Sequence, residues 1–165
     1  MKLFYTLTIV VVFLSTSCNQ ADQSDSVDLA EVEKTITTLA DNYINAWNAS
    51  DISSFRALLS DDGQFFGSDP SEQLNKESLL EMYAELFSES TDLTYSIDLR
   101  KIIPMADGES ALVVEHITMP GWSQLIQMRH ISQYIKMNNS WTIDFISWAY
   151  IAKNDDIEKL NKVLE

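Results

Sequence analysis

Residues 46–83 read AWNASDISSFRALLSDDGQFFGSDPSEQLNKESLLEMY and indicate several changes of local structure in succession. The segment completes an amphipathic helix, turns at residues 50–51, continues as a short second helix and a strand at Gln64–Gly67, and enters a third helix near Lys76. The apolar patterns that follow have the two-residue period of strands. Helices followed by a run of strands predict an α+β fold, with helices packed on one face of an antiparallel sheet.

The first helix is predicted from its apolar spacing and its cap. Successive apolar positions lie three or four residues apart, which is the pattern of one helical face. They are Leu29, Val32, Ile36, Leu39, Tyr43 and Trp47. We expect Asp28 to cap this helix and Asp51 or Ser50 to cap the second. Residues 60–63, SDDG, are expected to end the second helix, with Gly63 in the left-handed conformation.

Four strands are predicted in the second half of the chain. They are expected at residues 93–100, 110–119, 123–137 and 141–151. In the first of them, Leu93, Tyr95, Ile97 and Leu99 are expected to face inward. Residues 153–165 are predicted to form a short charged helix or a tail.

The turn at residues 138–139 sets a register for the last two strands. If both asparagines are turn residues, His130 lies opposite Ser147 on the more apolar face. On the other face, Arg129 lies opposite Trp148. A stacked pair there would contribute to a dimer interface.

The composition is that of an acidic globular protein. Of 165 residues, 25 are acidic and 11 are basic, which gives a net charge of -14, and 45% are hydrophobic. Such a surface repels phosphate backbones and anionic headgroups, so we expect no nucleic-acid partner. The sequence shows neither a Gly-rich phosphate loop nor the spacing of metal ligands. We therefore predict no cofactor and no bound metal.

Residues 1–17, MKLFYTLTIVVVFLSTS, have the pattern of a secretory signal peptide. The apolar run is too short to span a bilayer. Cys18, the only cysteine, follows Leu14-Ser15-Thr16-Ser17, which resembles a bacterial lipobox. We expect Cys18 to be lipidated and residues 18–28 to form a flexible tether. The exported protein is then anchored to a bacterial membrane. By resemblance to enterobacterial sorting, we expect this to be the outer membrane. The alternative is an ordinary signal peptide with an incidental cysteine.

Several segments together carry a resemblance to a known superfamily. They are residues 43–51 (YINAWNASD), 58–62 (LLSDD), 66–70 (FGSDP) and the run from Arg129 to Ile143. In this order they resemble the nuclear transport factor 2-like superfamily, and they are most similar to its SnoaL-like domains, which are related to ketosteroid isomerase. The resemblance implies a SnoaL-like domain at residues 29–152, with a cone-shaped, strongly curved antiparallel sheet wrapped around three N-terminal helices. It also implies a pocket at the wide end and a homodimer formed through the outer sheet face.

The steroid-isomerase chemistry of this superfamily is not expected here. That reaction uses an Asp base and an oxyanion hole made of a Tyr and a protonated Asp. The resemblance places the oxyanion Tyr on Tyr43, the base near Gly67 and the second acid near Ser132. Only the Tyr is present. SnoaL-like relatives often carry a His at the position of Ser147, and this chain lacks that group as well.

The residues expected to line a pocket combine aromatic and polar side chains. They are Tyr43, Trp47, Phe66, Tyr83, Tyr95, His116, His130 and Ser147. His130 and His116 have two interpretations: each is a pocket group that orients a ligand or moves a proton, or a core histidine with one hydrogen-bond partner. Asp69 and Glu72 are interpreted either as a rim pair for a cation or as caps of the loop and of the third helix.

Three functions remain open from the sequence. The first is binding of a small, mostly apolar molecule in the cone pocket without catalysis. The second is an enzyme of the lyase, isomerase or hydrolase type that uses His130 and Tyr43. The third is a protein-interaction domain that acts through the outer sheet face.

Overall fold

The computed structural model describes residues 27–89 and 92–164. The predicted signal peptide, Cys18 and most of the tether lie outside these ranges. The described residues form helices packed against a curved six-stranded sheet, which confirms the predicted α+β class. Within these ranges, no helix is both long and apolar enough to cross a membrane.

The helices begin where the sequence provides a cap. Their bounds are α1 Leu29–Asn48, α2 Ile52–Leu58, α3 Lys76–Glu89 and α4 Ile157–Leu164, the last preceded by a 3₁₀ turn at Asn154–Asp156. Asp28 Oδ1 accepts the N–H groups of Ala30 and Glu31, and Asp51 Oδ1 accepts those of Ser53 and Ser54. Both predicted caps are therefore confirmed, and they satisfy N–H groups that the helix leaves unpaired.

The strands form one sheet in the order β2-β1-β6-β5-β4-β3. Their bounds are β1 Leu59–Phe66, β2 Gln73–Leu74, β3 Ser96–Pro104, β4 Ser110–Met119, β5 Ser123–Met137 and β6 Ser140–Ile151. All neighbouring pairs are antiparallel except β1 and β6, which run parallel. The breaks in register within β3–β4, β4–β5 and β5–β6 are irregularities of the kind that bend and twist a sheet.

Three predictions for the first half of the sheet are wrong. β1 starts at Leu59, directly after α2, so residues 60–63 belong to a strand and not to a helix end, and Gly63 does not have the predicted left-handed conformation. Gly63 is needed for close approach: a Cβ there would lie 2.4 Å from the Phe65 ring and 3.0 Å from the Asp144 carbonyl oxygen. The short strand β2 was not predicted. β3 starts later than predicted, and Ile97 and Leu99 are exposed, although Leu93 and Tyr95 are buried.

The β5–β6 register agrees with the prediction near the turn and differs beyond it. Lys136 pairs with Trp141 and Tyr134 with Ile143, as expected. The next pair is Gln133 with Phe145, so β6 carries one extra residue at this point. A bulge residue reverses which side chains face inward.

This bulge overturns the predicted partner of His130. His130 pairs with Trp148, and Ser147 pairs with Ile131. Trp148 is therefore buried on the inner face, and Arg129 pairs with Ala149. The predicted His130–Ser147 and Arg129–Trp148 pairs are both wrong.

An aromatic cluster joins α1, α2 and α3 to the sheet. The ring of Trp47 lies 5.1 Å from that of Tyr83 and 5.2 Å from that of Phe87, both edge-on. The Trp47 indole N–H donates to the Leu93 carbonyl at 2.8 Å. Such edge-to-face contacts add to the burial of apolar area. They fix the end of α1 against α3 and against the segment that precedes β3.

Candidate functional site

An apolar pocket of about 90 Å³ opens beside the aromatic cluster. Aromatic rings come from four elements of the chain: Trp47 from α1, Tyr83 from α3, Trp122 from the β4–β5 connection and Trp148 from β6. Aliphatic and thioether side chains complete the apolar lining. They are Met82 and Leu86 of α3, Met119 of β4 and Met128 of β5. A concave apolar site with a few polar groups at its rim is the usual form of a small-molecule site.

The polar rim of the pocket is the loop that connects β1 to β2. Gly67, Ser68 and Glu72 line the pocket from this loop. Glu72 Oε2 accepts the Asp69 N–H at 2.9 Å, and Asp69 Oδ1 accepts the Ser71 N–H at 2.8 Å. Both carboxylates therefore cap the loop, as one of the two interpretations expected, but α3 is capped by Asn75, whose Oδ1 accepts the Ser78 N–H at 3.0 Å. The capping bonds from Ser71 lower the pKa of Asp69.

Gly67 allows the Glu72 side chain to fold against the backbone. A Cβ at position 67 would lie 1.9 Å from Glu72 Oε2 and 2.8 Å from Glu72 Cβ. Any larger residue would displace the carboxylate from the rim. Gly67, at the position that the resemblance assigned to the isomerase base, therefore leaves room for the Glu72 carboxylate.

A buried polar cluster lies behind the pocket, on the far side of Trp148. The side chains of Glu115 and His130 are both 2% exposed or less. Glu115 Oε2 accepts the Tyr95 hydroxyl at 2.6 Å and lies 3.0 Å from His130 Nδ1. Its other oxygen accepts Arg100 Nε at 2.6 Å, and Arg100 also reaches Asp41 at the surface of α1 at 2.6 Å.

Hydrogen bonds keep Glu115 ionised in spite of its burial. Burial alone would raise the pKa of this carboxyl. The hydrogen bonds from His130 and Tyr95, with the charge of Arg100, outweigh burial and lower the pKa to about 2. Both oxygens of the Glu115 carboxylate therefore have donors, whereas Arg100 Nη2 and His130 Nε2 are buried without a partner among the described residues. Removal of the carboxylate alone would leave its buried donors unpaired, which is costly.

A pair of tyrosine hydroxyls connects this region to the pocket. The hydroxyls of Tyr43 and Tyr83 lie 2.8 Å apart. Burial raises the pKa of Tyr43 well above its usual value and that of Tyr83 to about 12. The negative charge of Glu72 adds to the shift at Tyr83, whereas Tyr43 and the nearby indole N–H of Trp148 oppose it. Both phenols are protonated at neutral pH.

The predicted pocket residues fall into three groups in the structure. Trp47 and Tyr83 line the pocket. Tyr43, Tyr95 and His130 lie behind it and are fully buried. The remaining three lie on the opposite face of the sheet. They are Phe66, which packs on Phe145, His116, which accepts Arg129 Nε at 3.3 Å, and Ser147.

The expected grouping of His130, Ser147 and Tyr43 in one pocket is therefore wrong. The bulge in β6 replaces Ser147 by Trp148 on the inner face. The Trp148 ring lies 4.4 Å from that of His130, and the Tyr43 ring stacks on His130 at 5.0 Å. Both rings therefore pack against the imidazole.

Sequence reasoning did not place several of the lining residues. Trp148 was assigned to the wrong face, and Met119 and Trp122 flank the Pro120-Gly121 break between two strands. Met82 precedes Tyr83 on α3 and was not among the residues expected to line a pocket. Trp122, a large aromatic residue just after a Pro-Gly break, is the signal that the sequence offered for the mouth of the pocket. The described residues hold no group of three or more His, Cys, Asp or Glu side chains arranged to bind a metal.

Comparison with family models identifies the fold family. The model described as "SnoaL-like domain" matches residues 36–153, most of the chain. The chain belongs to the SnoaL-like domain family. A search of the curated proteins found no match.

Solved structures share the fold of this SnoaL-like domain at low sequence identity. An NTF2-like protein from Cytophaga hutchinsonii is 17% identical with a TM-score of 0.61, over 72% of this chain and 97% of that one. An NTF2-like superfamily protein from Salmonella enterica is 19% identical with a TM-score of 0.64, over 76% and 95%. A protein with a cystatin-like fold from Caulobacter vibrioides is 15% identical with a TM-score of 0.66, over 82% and 99%. These likenesses bear on the fold alone.

Proposed function

We propose that this SnoaL-like domain binds a small, mostly apolar molecule in the pocket beside Trp47 and does not transform it. The observation that carries the proposal is the separation of the two regions. The open pocket is lined by apolar side chains, and the groups capable of acid–base chemistry lie behind Trp148. Binding needs only the first region, whereas proton transfer needs a group within hydrogen-bond reach of the ligand.

Burial and hydrogen bonding also argue against a catalytic role for the buried groups. His130 is 1% exposed, and its Nδ1 is engaged by Glu115. Tyr43 is equally buried, and its raised pKa disfavours the phenolate that would act as a base. The Glu115 carboxylate is occupied by three donors. We interpret these groups as the polar part of the core.

Native mass spectrometry of the domain purified from its own host tests the proposal. We expect a small molecule to co-purify with the wild-type protein. Met82→Trp should abolish its retention because the larger side chain fills the pocket. Ala84→Trp adds the same ring to an exposed position of α3 and should retain the molecule. A wild-type protein that is empty in several preparations, or equal retention by Met82→Trp, contradicts ligand binding at this site.

A second candidate function is catalysis by His130 and Tyr43, and one observation favours it. His130 is oriented by a carboxylate, as general bases often are, and its buried Nε2 has no hydrogen-bond partner among the described residues. Trp148 would have to move for a substrate to reach it. Incubation of the protein with small-molecule extract of its host tests this candidate. A mass change made by wild type and lost in His130→Gln supports catalysis, and identical extracts exclude it for the molecules present.

We also infer from the sequence that the domain is exported and held at a membrane by lipidated Cys18. The supporting features are the signal-peptide pattern and the resemblance to a lipobox. Expression of the full chain in a bacterial host with labelled palmitate is the test. Label and membrane association should both be lost in Cys18→Ser. A wild-type protein that carries no label rejects the anchor and leaves the pocket proposal unaffected.

A further inference from the structure

The aromatic rings of the pocket surround its interior from different directions. The rings of Trp47 and Tyr83 meet at 81° with centroids 5.1 Å apart, and those of Trp47 and Trp148 meet at 39° and 5.4 Å. With Trp122, these rings line the pocket from four elements of the chain, so more than one π face can turn toward the same enclosed volume. Rings arranged in this way offer their negative faces to a bound cation.

Trp122 adds a ring at the mouth of the pocket, and a hydrogen bond holds it there. Its indole N–H donates to the Tyr150 hydroxyl. The residue is 44% exposed, although a large apolar side chain gains free energy from burial. A ligand that enters the pocket would cover this ring. The contact with Tyr150 limits the rotamers of Trp122, so binding loses less conformational entropy.

The electrostatics of the pocket favour a positive ligand. Glu72 is the charged side chain among the described residues that line it, and no basic residue does so. The Asp69 N–H holds the carboxylate at the rim. The Glu72 charge also acts on Tyr83 in the pocket lining, since it is the last of the contributions to the raised pKa of that phenol. A net charge of -14 on the whole chain adds a long-range attraction for cations.

We propose that the pocket binds an organic cation, a quaternary ammonium or alkylated amine on a small apolar body, with the aromatic rings around the cationic group and Glu72 as its counter-charge. This inference rests on the proposed function and adds the chemical class of the ligand. The thioethers of Met82, Met119 and Met128 provide a polarisable wall that suits methyl groups bound to a charged nitrogen. An inorganic cation does not fit this lining, because it requires oxygen ligands.

Choline and its neutral isostere 3,3-dimethylbutan-1-ol are the probes that test the inference, since they share shape and differ in charge. Binding to the domain is followed by NMR through the indole N–H resonances of its four tryptophans. Trp47, Trp122 and Trp148 line the pocket, whereas Trp141 lies outside it and serves as an internal control. We expect choline to shift the first three and to bind at least about fivefold more tightly than the alcohol.

Two substitutions in the rim loop distinguish the effect of the Glu72 charge on binding from the effect of a changed loop structure. Glu72→Gln keeps an oxygen that can accept the Asp69 N–H and removes the charge, so choline should bind about fivefold more weakly and the alcohol unchanged. Asp69→Asn removes a charge from the same loop at an exposed position outside the pocket lining and should change neither probe by more than about twofold.

The outcomes distinguish the inference from the proposed function. Equal binding of the alcohol and choline, or equal effects of the two loop substitutions, overturns the cation proposal and leaves an apolar pocket in place. Shifts of the Trp141 resonance alone also overturn it. A domain that retains a neutral host molecule in native mass spectrometry but binds neither probe supports the proposed function and rejects the cation.

Discussion

Glu115 shows how a charge can be buried in this core at tolerable cost. Its carboxylate receives hydrogen bonds from Tyr95, His130 and Arg100 at distances of 2.6 to 3.0 Å. Each donor repays part of the desolvation that an isolated carboxylate would suffer. The cluster also joins β3, β4 and β5, because one donor comes from the segment before β3, one from β3 and one from β5. Its removal should therefore affect the whole domain.

The first residue-scale prediction concerns Glu115→Gln. The pKa of Glu115 is lowered from about 4.5 to about 2 in the folded protein, so its stabilising effect is fully present above the unfolded value and is lost as pH falls toward 2. We expect the substitution to lower the free energy of unfolding by about 3 kcal/mol at pH 7. The difference from wild type should narrow between pH of about 4.5 and about 2. Urea unfolding across this pH range measures it.

Glu109→Gln is the matched control for that experiment. Glu109 pairs with Lys136 at 3.3 Å, and its side chain is 59% exposed. Exposed pairs of this kind contribute little, so the variant should stay within about 0.5 kcal/mol of wild type and keep its acid dependence. If Glu115→Gln and Glu109→Gln change the free energy of unfolding equally across this pH range, the Glu115 carboxylate does not stabilise the folded state more than an exposed carboxylate does.

For single residues, the sequence indicated which side chains lie in or near the site better than it indicated what each of them contacts there. Tyr43, Trp47, Tyr83 and His130 were expected near one another, because helix and strand periods turn them inward. Glu115 was not singled out, since a carboxylate in an alternating strand is normally on the exposed face. Glu115 is buried because the alternation of β4 turns it to the inner face, where donors that are distant in sequence reach it. Such pairing cannot be read from local spacing.

At the scale of elements, the turn between β5 and β6 determines which side chains face the pocket. Asn138 and Asn139 both have positive φ, 51° and 63°, as a type I′ hairpin requires. From this turn the register runs correctly to Tyr134 and Ile143, and the bulge then brings Trp148 to the inner face. The turn and the bulge together therefore position one wall of the pocket.

The element-scale prediction tests the strain that this turn imposes. Asn139→Val places a β-branched residue in the left-handed region and should lower the free energy of unfolding by about 1–2 kcal/mol. Asn139→Gly suits the same backbone and should be neutral or stabilising by about 0.5 kcal/mol. Thermal and urea unfolding of both variants provide the comparison. If valine and glycine are equally tolerated, position 139 does not need positive φ in solution.

Turn chemistry explains which elements could be predicted. The bounds of β4 and β5 match the prediction because Asp107-Gly108, Pro120-Gly121 and Asn138-Asn139 mark their ends. β1 was shortened in the prediction because residues 60–63 carry turn-forming side chains, yet they belong to β1 and form its irregular stretch between the Leu59–Ile143 and Gln64–Phe145 pairs. The bulge left no signal in the apolar pattern. When a strand carries one extra polar residue, the residues beyond it can face either side of the sheet, and only the pairing with the partner strand decides which.

At the scale of the whole molecule, the outer face of the sheet presents a row of apolar side chains that are not fully buried. Ile131 lies between Val114 of β4 and Ser147 of β6, and the next row places Gln133 between Leu112 and Phe145. These side chains are only half-buried. A contiguous face of this kind, with few charges, suits a protein–protein interface. We propose a homodimer through this face, as the resemblance to the superfamily led us to expect. The third hypothesis from the sequence, a domain that binds a different protein, uses the same surface.

The whole-molecule prediction is that Ile131→Lys converts a dimer into a folded monomer. A lysine at the centre of the face would be buried without a partner in the dimer, which costs several kcal/mol, but can extend into solvent in the monomer. Val163→Lys, at a position of α4 that is 81% exposed, adds the same charge outside the sheet and should leave the dimer intact. Sedimentation velocity gives the mass, and circular dichroism verifies the fold. A wild-type monomer at all concentrations rejects the homodimer and leaves the outer face available to a different protein, whereas a dimer that survives Ile131→Lys must form through another surface.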